Sequence, residues 1–286
     1  MGHWSLVGSI SKENRRRCEW GRLMQAERQE DDVCETRQPM PASETYEFEA
    51  LAAAVNYRRA ILDEFRPFLV GDVIEVGAGV GQTTVELRRS QGVRRVTAVE
   101  PVAEFCRVLR QRQVAHDVVQ GTSGDIVAGA EYDAVVSVNV LEHIEDDMAE
   151  LSRYKQLLGK RRGHLCLFVP ARPELFAPLD ERFGHYRRYR RSILRAKLDQ
   201  AGFDVVAMRY FNFPGYFLWW IEFKILKQRA FNPRKVAMFD RLAFPLIRWV
   251  ETRIVSPPLG QSILAVARCR NAGADVSKEA LCVRKR

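Results

Sequence analysis

Glu75 stands in the run Val73-Ile74-Glu75-Val76-Gly77-Ala78-Gly79-Val80-Gly81, where an apolar stretch ends in a turn with glycine at every second position. Glycine accepts positive φ and lets the backbone approach a ligand where any side chain would clash, so such a turn is a nucleotide-site signature. The acid narrows the ligand. A carboxylate inside the turn would repel a pyrophosphate resting on the following helix, and the G-x-G-x-x-G spacing of dinucleotide sites is missing. An NAD-dependent oxidoreductase is therefore disfavoured, and a cationic ligand suits Glu75. A second apolar stretch, Val96-Thr97-Ala98-Val99-Glu100, ends in another acid about twenty residues on, where a Rossmann-type site grips ribose hydroxyls. Glu100 is the ribose ligand on this reading; its alternative use is to cap the helix opened by Pro101. A third stretch runs from Tyr132 through Val138-Asn139-Val140 to Leu141-Glu142-His143, a buried strand leading into a polar turn.

These residues need a scaffold that brings strand ends together. Apolar periodicity predicts strands over 72–76, 94–99, 117–120, 133–138, 163–169, 204–210 and 261–269, and helices over 45–66, 80–90, 102–113, 145–158 and 190–201. Short, almost wholly apolar strands, each followed by an amphipathic helix, imply a sheet covered on both faces. The fold class is α/β, a doubly wound, Rossmann-like sheet. Such sheets bind ligands beyond the carboxyl ends of their strands at the switch in strand order, where Glu75, Glu100 and Asn139 fall.

Together the three segments resemble the class I S-adenosylmethionine-dependent methyltransferases, over residues 45 to 269, and within them the bacterial small-molecule group with its Leu-Glu-His segment. The resemblance implies a seven-stranded, mainly parallel sheet whose last two strands form an antiparallel hairpin. It implies S-adenosylmethionine as cofactor: Gly77, Ala78 and Gly79 along the methionine and sugar, Glu75 organising the methionine ammonium, Glu100 with Pro101 at the ribose, Gly121 and Thr122 flanking the adenine, and Asn139 and Val140 beneath the sulfur. Where the family often carries an acid this chain has Thr122, with Asp125 three residues further. The group also carries a Gly-His-x-Arg-Arg-Tyr box, found here as Gly184-His185-Tyr186-Arg187-Arg188-Tyr189. His185 can shuttle a proton near neutral pH, and Tyr189, Asp180 or the arginines can hold an acceptor. The competing reading makes His185 a structural hydrogen bonder and pairs Arg187 and Arg188 with acids. His143 reads as a buried histidine bonded to backbone.

The hairpin is interrupted by an aromatic-rich helical insertion, 211–260, containing Tyr216, Trp219 and Trp220 beside Lys224 and Lys227. Its apolar run, over 211–226, is too short and too interrupted by Glu222 and Lys224 to span a bilayer. It reads either as an interfacial helix or lid over a greasy substrate, or as a core-packed cap, with 239–255 as its packing partner. The leading function is methyl transfer by direct displacement to a small-molecule or lipid-like acceptor touched by Arg187, Arg188, Tyr216, Trp219 and Trp220. A non-catalytic cofactor-binding or membrane-docking protein is the alternative. Nucleic acid is disfavoured as a partner because the turn at Asn139-Val140-Leu141-Glu142 lacks the Asn/Asp-Pro-Pro-aromatic motif that holds a flipped base.

Composition frames this as one domain with trimmings. The 286 residues are 47% hydrophobic, enough for a substantial core, and carry a net charge of +9 that allows contact with an anionic surface. Residues 1–42 mix charges without periodicity and read as a poorly ordered extension; 43–270 form the domain, and 271–286 a polar tail. The start Met1-Gly2-His3-Trp4 lacks an apolar core behind basic residues, so no secretory signal is expected. The six scattered cysteines show no C-x-x-C pair, which points to reduced thiols, no metal site and a cytoplasmic setting, with peripheral membrane contact open.

Overall fold

Both faces of the central strands are apolar because both faces are covered. In β1 (Gly71–Val76), Ile74 and Val76 point into one core and Val73 into another. In β4 (Ala134–Val138), Val135 joins the first core while Ala134 and Val136 join the second. The same alternation divides Leu165 and Leu167 from Cys166 and Phe168 in β5 (His164–Pro170). The computed structural model describes residues 53–270 apart from 160, 162, 229–231 and 254–256, so the extension and the tail of the sequence reading lie outside the described residues.

The remaining elements are α1 (Val55–Phe65), α2 (Gln82–Arg88), β2 (Val93–Glu100), α3 (Ala103–Arg112), β3 (Asp117–Gln120), α4 (Asp147–Leu158), α5 (Pro178–Arg182), α6 (Arg191–Gln200), β6 (Phe203–Phe211), α7 (Phe213–Trp219), α8 (Pro233–Met238), α9 (Phe244–Arg253) and β7 (Ser262–Cys269). The sheet order is β3-β2-β1-β4-β5-β7-β6, with β7 antiparallel to both neighbours. Leu151, Tyr154 and Leu158 of α4 and Leu194 and Leu198 of α6 close the first core; Ile61, Leu62 and Phe65 of α1 close the second. Each such side chain contributes about 1.5–3 kcal/mol when fully buried. The order reverses beside β1, and the crevice between the ends of β2, β1 and β4 is the ligand position for this topology. Cys106 and Cys166 are buried free thiols and Cys269 a half-buried one.

Two features were not in the sequence reading. The helix expected over 45–66 is broken at Ala54, between helical Ala53 and α1, while 45–52 lie outside the described residues: Ala54 takes φ −94° and ψ 62° and offers no side-chain cap. The first amides of α1 are satisfied from far along the chain, Asn56 N at 2.9 Å and Tyr57 N at 2.8 Å from the carboxylate of Asp240. The two halves of the insertion, moreover, are anchored in different apolar clusters. Trp219 and Phe223 pack with Leu175, Ala177 and Leu179, whereas Phe244 and Phe239 pack on α1 and the sheet. Each half widens into a π turn, Trp220–Ile225 after α7 and Phe239–Ala243 after α8. Glu251 ties the halves together by accepting from Asn212 N and Phe213 N.

Candidate functional site

All ten residues assigned above to the cofactor line one cavity of about 670 Å³ at the carboxyl ends of β1, β2 and β4. The glycine turn is closed by backbone bonds from Gly77 N and Ala78 N to Val99 O. Gly77 has φ +75°, and a Cβ there would fall 2.4 Å from Cγ2 of Val140 on the facing loop, so only glycine lets the two walls meet. Glu100, 5% exposed, holds the turn from the other side: one carboxylate oxygen accepts Gly79 N at 2.7 Å and the other accepts Val102 N at 3.0 Å. Of the two uses offered above, the bond from Val102 N at the start of α3 shows the capping one, and the place of Glu100 on the cavity wall leaves the ribose assignment open to it.

Glu75 is 2% exposed and accepts the Thr84 hydroxyl at 2.6 Å. Burial, with the charge of Glu100 adding to it, pushes its carboxyl up to about 8 although the Thr84 bond works the other way. Two neighbouring buried acids, with Arg58 and Arg153 as the cationic side chains on the cavity wall, form a donor set that suits a cationic ligand. Gly121 and Thr122 line the same wall, but Asp125 does not; its carboxylate closes the turn after Thr122 by accepting the Thr122 N–H at 2.7 Å and hydroxyl at 2.9 Å. Asn139, at φ +53°, is fixed by its N–H to Phe168 O.

A second, mostly apolar cavity of about 420 Å³ adjoins the first and shares Tyr57, Asn139 and Phe183 with it. Its roof is the insertion, through Leu218, Trp219, Phe223, Met238 and Phe239; its floor is the sheet, through Phe168 and Ser262. His185 lines this cavity and His143 the first, their rings 4.6 Å apart edge to face. Nδ1 of His185 meets Oδ1 of Asp180 at 2.9 Å, and Nε2 is buried with no hydrogen-bond partner among the described residues. Asp180 is fully buried and also accepts Arg188 Nε at 2.7 Å and Ala177 N at 2.8 Å. Although burial acts to raise it, the bond from His185 and then the Arg188 charge hold its carboxyl below the usual range. An acid fixed in this way keeps the proton of His185 on Nδ1 and leaves Nε2 as an acceptor. Burial drives His143 down to about 4, so its ring stays neutral. Glu142, His143 and His185 offer ligand atoms within 4.8 Å of one another, a grouping that chain spacing did not reveal.

The substrate residues proposed from sequence divide. Trp219 and Arg188 line the second cavity, with the Arg188 guanidinium 4.2 Å above the Trp219 ring. Trp220 does not; it is 45% exposed on the outer side of the insertion. Tyr216 packs beside Phe217 under Arg172, behind Trp219 and Phe223 and not in the cavity lining itself. Arg187 bonds Asp147 at 3.0 Å and Glu145 O at 2.6 Å. Tyr189 is likewise apart from both cavities: its hydroxyl donates to Asp147 at 2.9 Å, and burial, then the Asp147 charge, raises it far above the ordinary phenol. Tyr57, Phe168, Phe183 and Asn212 reach the site without any local sequence signal.

A family model described as a methyltransferase domain matches residues 45–208. No curated protein matches the chain. Among solved structures it is similar to a protein assigned as a methyltransferase, in complex with the Haloferax volcanii Trm112 methyltransferase activator: 15% identity over 77% of this chain and 95% of that one, TM-score 0.52. A second, assigned as a sarcosine dimethylglycine methyltransferase from Galdieria sulphuraria, shares 16% identity over 74% of this chain and 85% of that one, TM-score 0.50. At these identities the two likenesses speak for the fold.

Proposed function

We propose, from the premise that the chain belongs to the methyltransferase domain family and is an S-adenosylmethionine-dependent methyltransferase, that its acceptor is a small, largely apolar molecule held under the insertion and that His185 takes the acceptor's proton. When bound, S-adenosylmethionine supplies a sulfonium methyl group open to direct displacement. The chain's own residues align and exclude water: Asn139 and Phe183 form the shared wall, Trp219 and Phe223 the apolar lid, and Asp180 orients Nε2 of His185 as base. Alignment of this kind supplies about 7–11 kcal/mol in well-oriented systems. The observation that carries the reading is the shared wall between the two cavities.

The test is transfer of labelled methyl to water-soluble apolar phenols and carboxylic acids. Leu218→Trp, which narrows the cavity at a half-exposed position, should raise the acceptor KM about tenfold and spare cofactor affinity. Trp220→Ala should leave both unchanged. Equal acceptor kinetics in wild type and Leu218→Trp would remove the cavity from the reaction.

Glu75 gives a separate readout. In the ligand-free protein it stays protonated until about pH 8, whereas the ordinary carboxyl ionises near 4.5. The stability tied to this group is therefore complete below 4.5 and falls as pH rises toward 8. A cationic ligand reverses that preference, so binding of S-adenosylmethionine at pH 7 should release close to one proton. Calorimetry in buffers of different ionisation enthalpy measures the release, and Glu75→Gln should abolish it.

A further inference from the structure

The large apolar side chains that the molecule leaves outside its cores concentrate on the insertion. Met238, Leu242, Leu246 and Trp249 follow one another at a turn's spacing along α8, its π turn and α9, and each is more than half exposed. Phe217, Ile221 and Ile225 repeat the pattern along α7 and its π turn at 43–53% exposure. Neither stripe is needed by the cores, which take the opposite faces through Trp219, Phe223 and Phe244.

The charge around the stripes is one-sided. Lys224, Lys227, Arg234, Lys235, Arg241 and Arg253 are exposed. The acids turn inward: Asp240 and Glu251 are buried on backbone amides, and Glu222 is half-buried beside Lys235. Exposed aromatic and aliphatic side chains ringed by cations match the boundary of an anionic bilayer, where apolar groups enter the acyl edge and cations meet the headgroups. No helix among the described residues is long and apolar enough to cross a membrane.

From this we infer that the insertion is a monotopic docking surface for an anionic lipid bilayer. Leu218 and Met238 belong both to the exposed surface and to the lining of the second cavity, so that cavity opens among the docking side chains. An acceptor dissolved in the bilayer would enter without crossing water; only this delivery role rests on the methyl-transfer reading above.

The test is flotation of the full chain with vesicles of phosphatidylcholine alone and of phosphatidylcholine mixed with phosphatidylglycerol. Wild type should float with the mixed vesicles and detach as salt rises. Leu242→Glu with Trp249→Glu, neither of which lines a cavity, should weaken uptake at least about tenfold while the melting temperature and S-adenosylmethionine affinity hold. Equal flotation of wild type and variant overturns the proposal, as does equal uptake by neutral vesicles. So does a wild-type dimer in sedimentation that the variant breaks, with no vesicle uptake, since the stripes would then face a second copy. No acceptor or methyl donor is present in flotation, so a negative result leaves the catalytic reading standing.

Discussion

Glu100→Ala should raise the Kd for S-adenosylmethionine by more than about 100-fold, because the change removes the brace of the glycine turn and, with it, the acid assigned to the ribose from sequence. The carboxylate accepts Gly79 N at 2.7 Å and Val102 N at 3.0 Å, which sets the glycine turn against the N-terminus of α3. Hydrogen bonds to a charged group are worth about 1.5–3 kcal/mol each, and about 1.4 kcal/mol is tenfold in affinity. Losing the two bonds leaves two amides to find water inside the cavity. Glu100→Asp retains the charge on a shorter arm and should fall between. Titration calorimetry decides, with thermal melting as control for folding. A change of less than about threefold in Glu100→Ala would mean that backbone bonds to Val99 O alone preform the turn.

His185→Gln should lower kcat by about 100- to 1,000-fold, within the usual contribution of a positioned general base. Glutamine keeps a polar group near Asp180 but cannot carry away a proton. Cofactor affinity should stay within a factor of about two, since His185 lines the second cavity rather than the first. The three donors Glu142, His143 and His185, within 4.8 Å, allow a different use of the same nitrogen, as ligand to a divalent cation. Dialysis against EDTA separates the two: the base reading expects unchanged turnover, and the cation reading expects a loss restored by metal. Full activity of His185→Gln would place the proton elsewhere.

What could be read from sequence follows the range of the interactions. The strands, the glycine turn, Glu100 and the Asn139 turn were legible because each is a local pattern whose meaning is set by its immediate neighbours. The second cavity was not, since Tyr57, Phe168, Phe183 and Asn212 come from separate parts of the chain and only the packed sheet brings them together. Trp219 and Trp220 show a finer limit. Adjacent tryptophans must face different ways on a helix, but choosing the inner one requires the phase, and α7 opens into a π turn at Trp220. Tyr189 illustrates the converse: its box is plain in sequence, yet the phenol is committed to Asp147 on α4, a partner 42 residues away. The break at Ala54 was hidden for the same reason, the capping acid being Asp240.

Phe211 and Ser262 face each other across the β6–β7 ladder, so the insertion leaves the sheet and rejoins it at paired positions. The ladder would be closed as well by a tight hairpin as by residues 212–261, and loop length itself adds little cost, about 0.6 kcal/mol per doubling. The segment that roofs the second cavity can therefore be exchanged while the crevice at the ends of β1, β2 and β4 stays unchanged. The exchange has conditions: a new segment must replace Phe244 in the second core and supply an acid for the amides of Asn56 and Tyr57. Grafting between relatives should then succeed where those two debts to α1 are carried over with the graft.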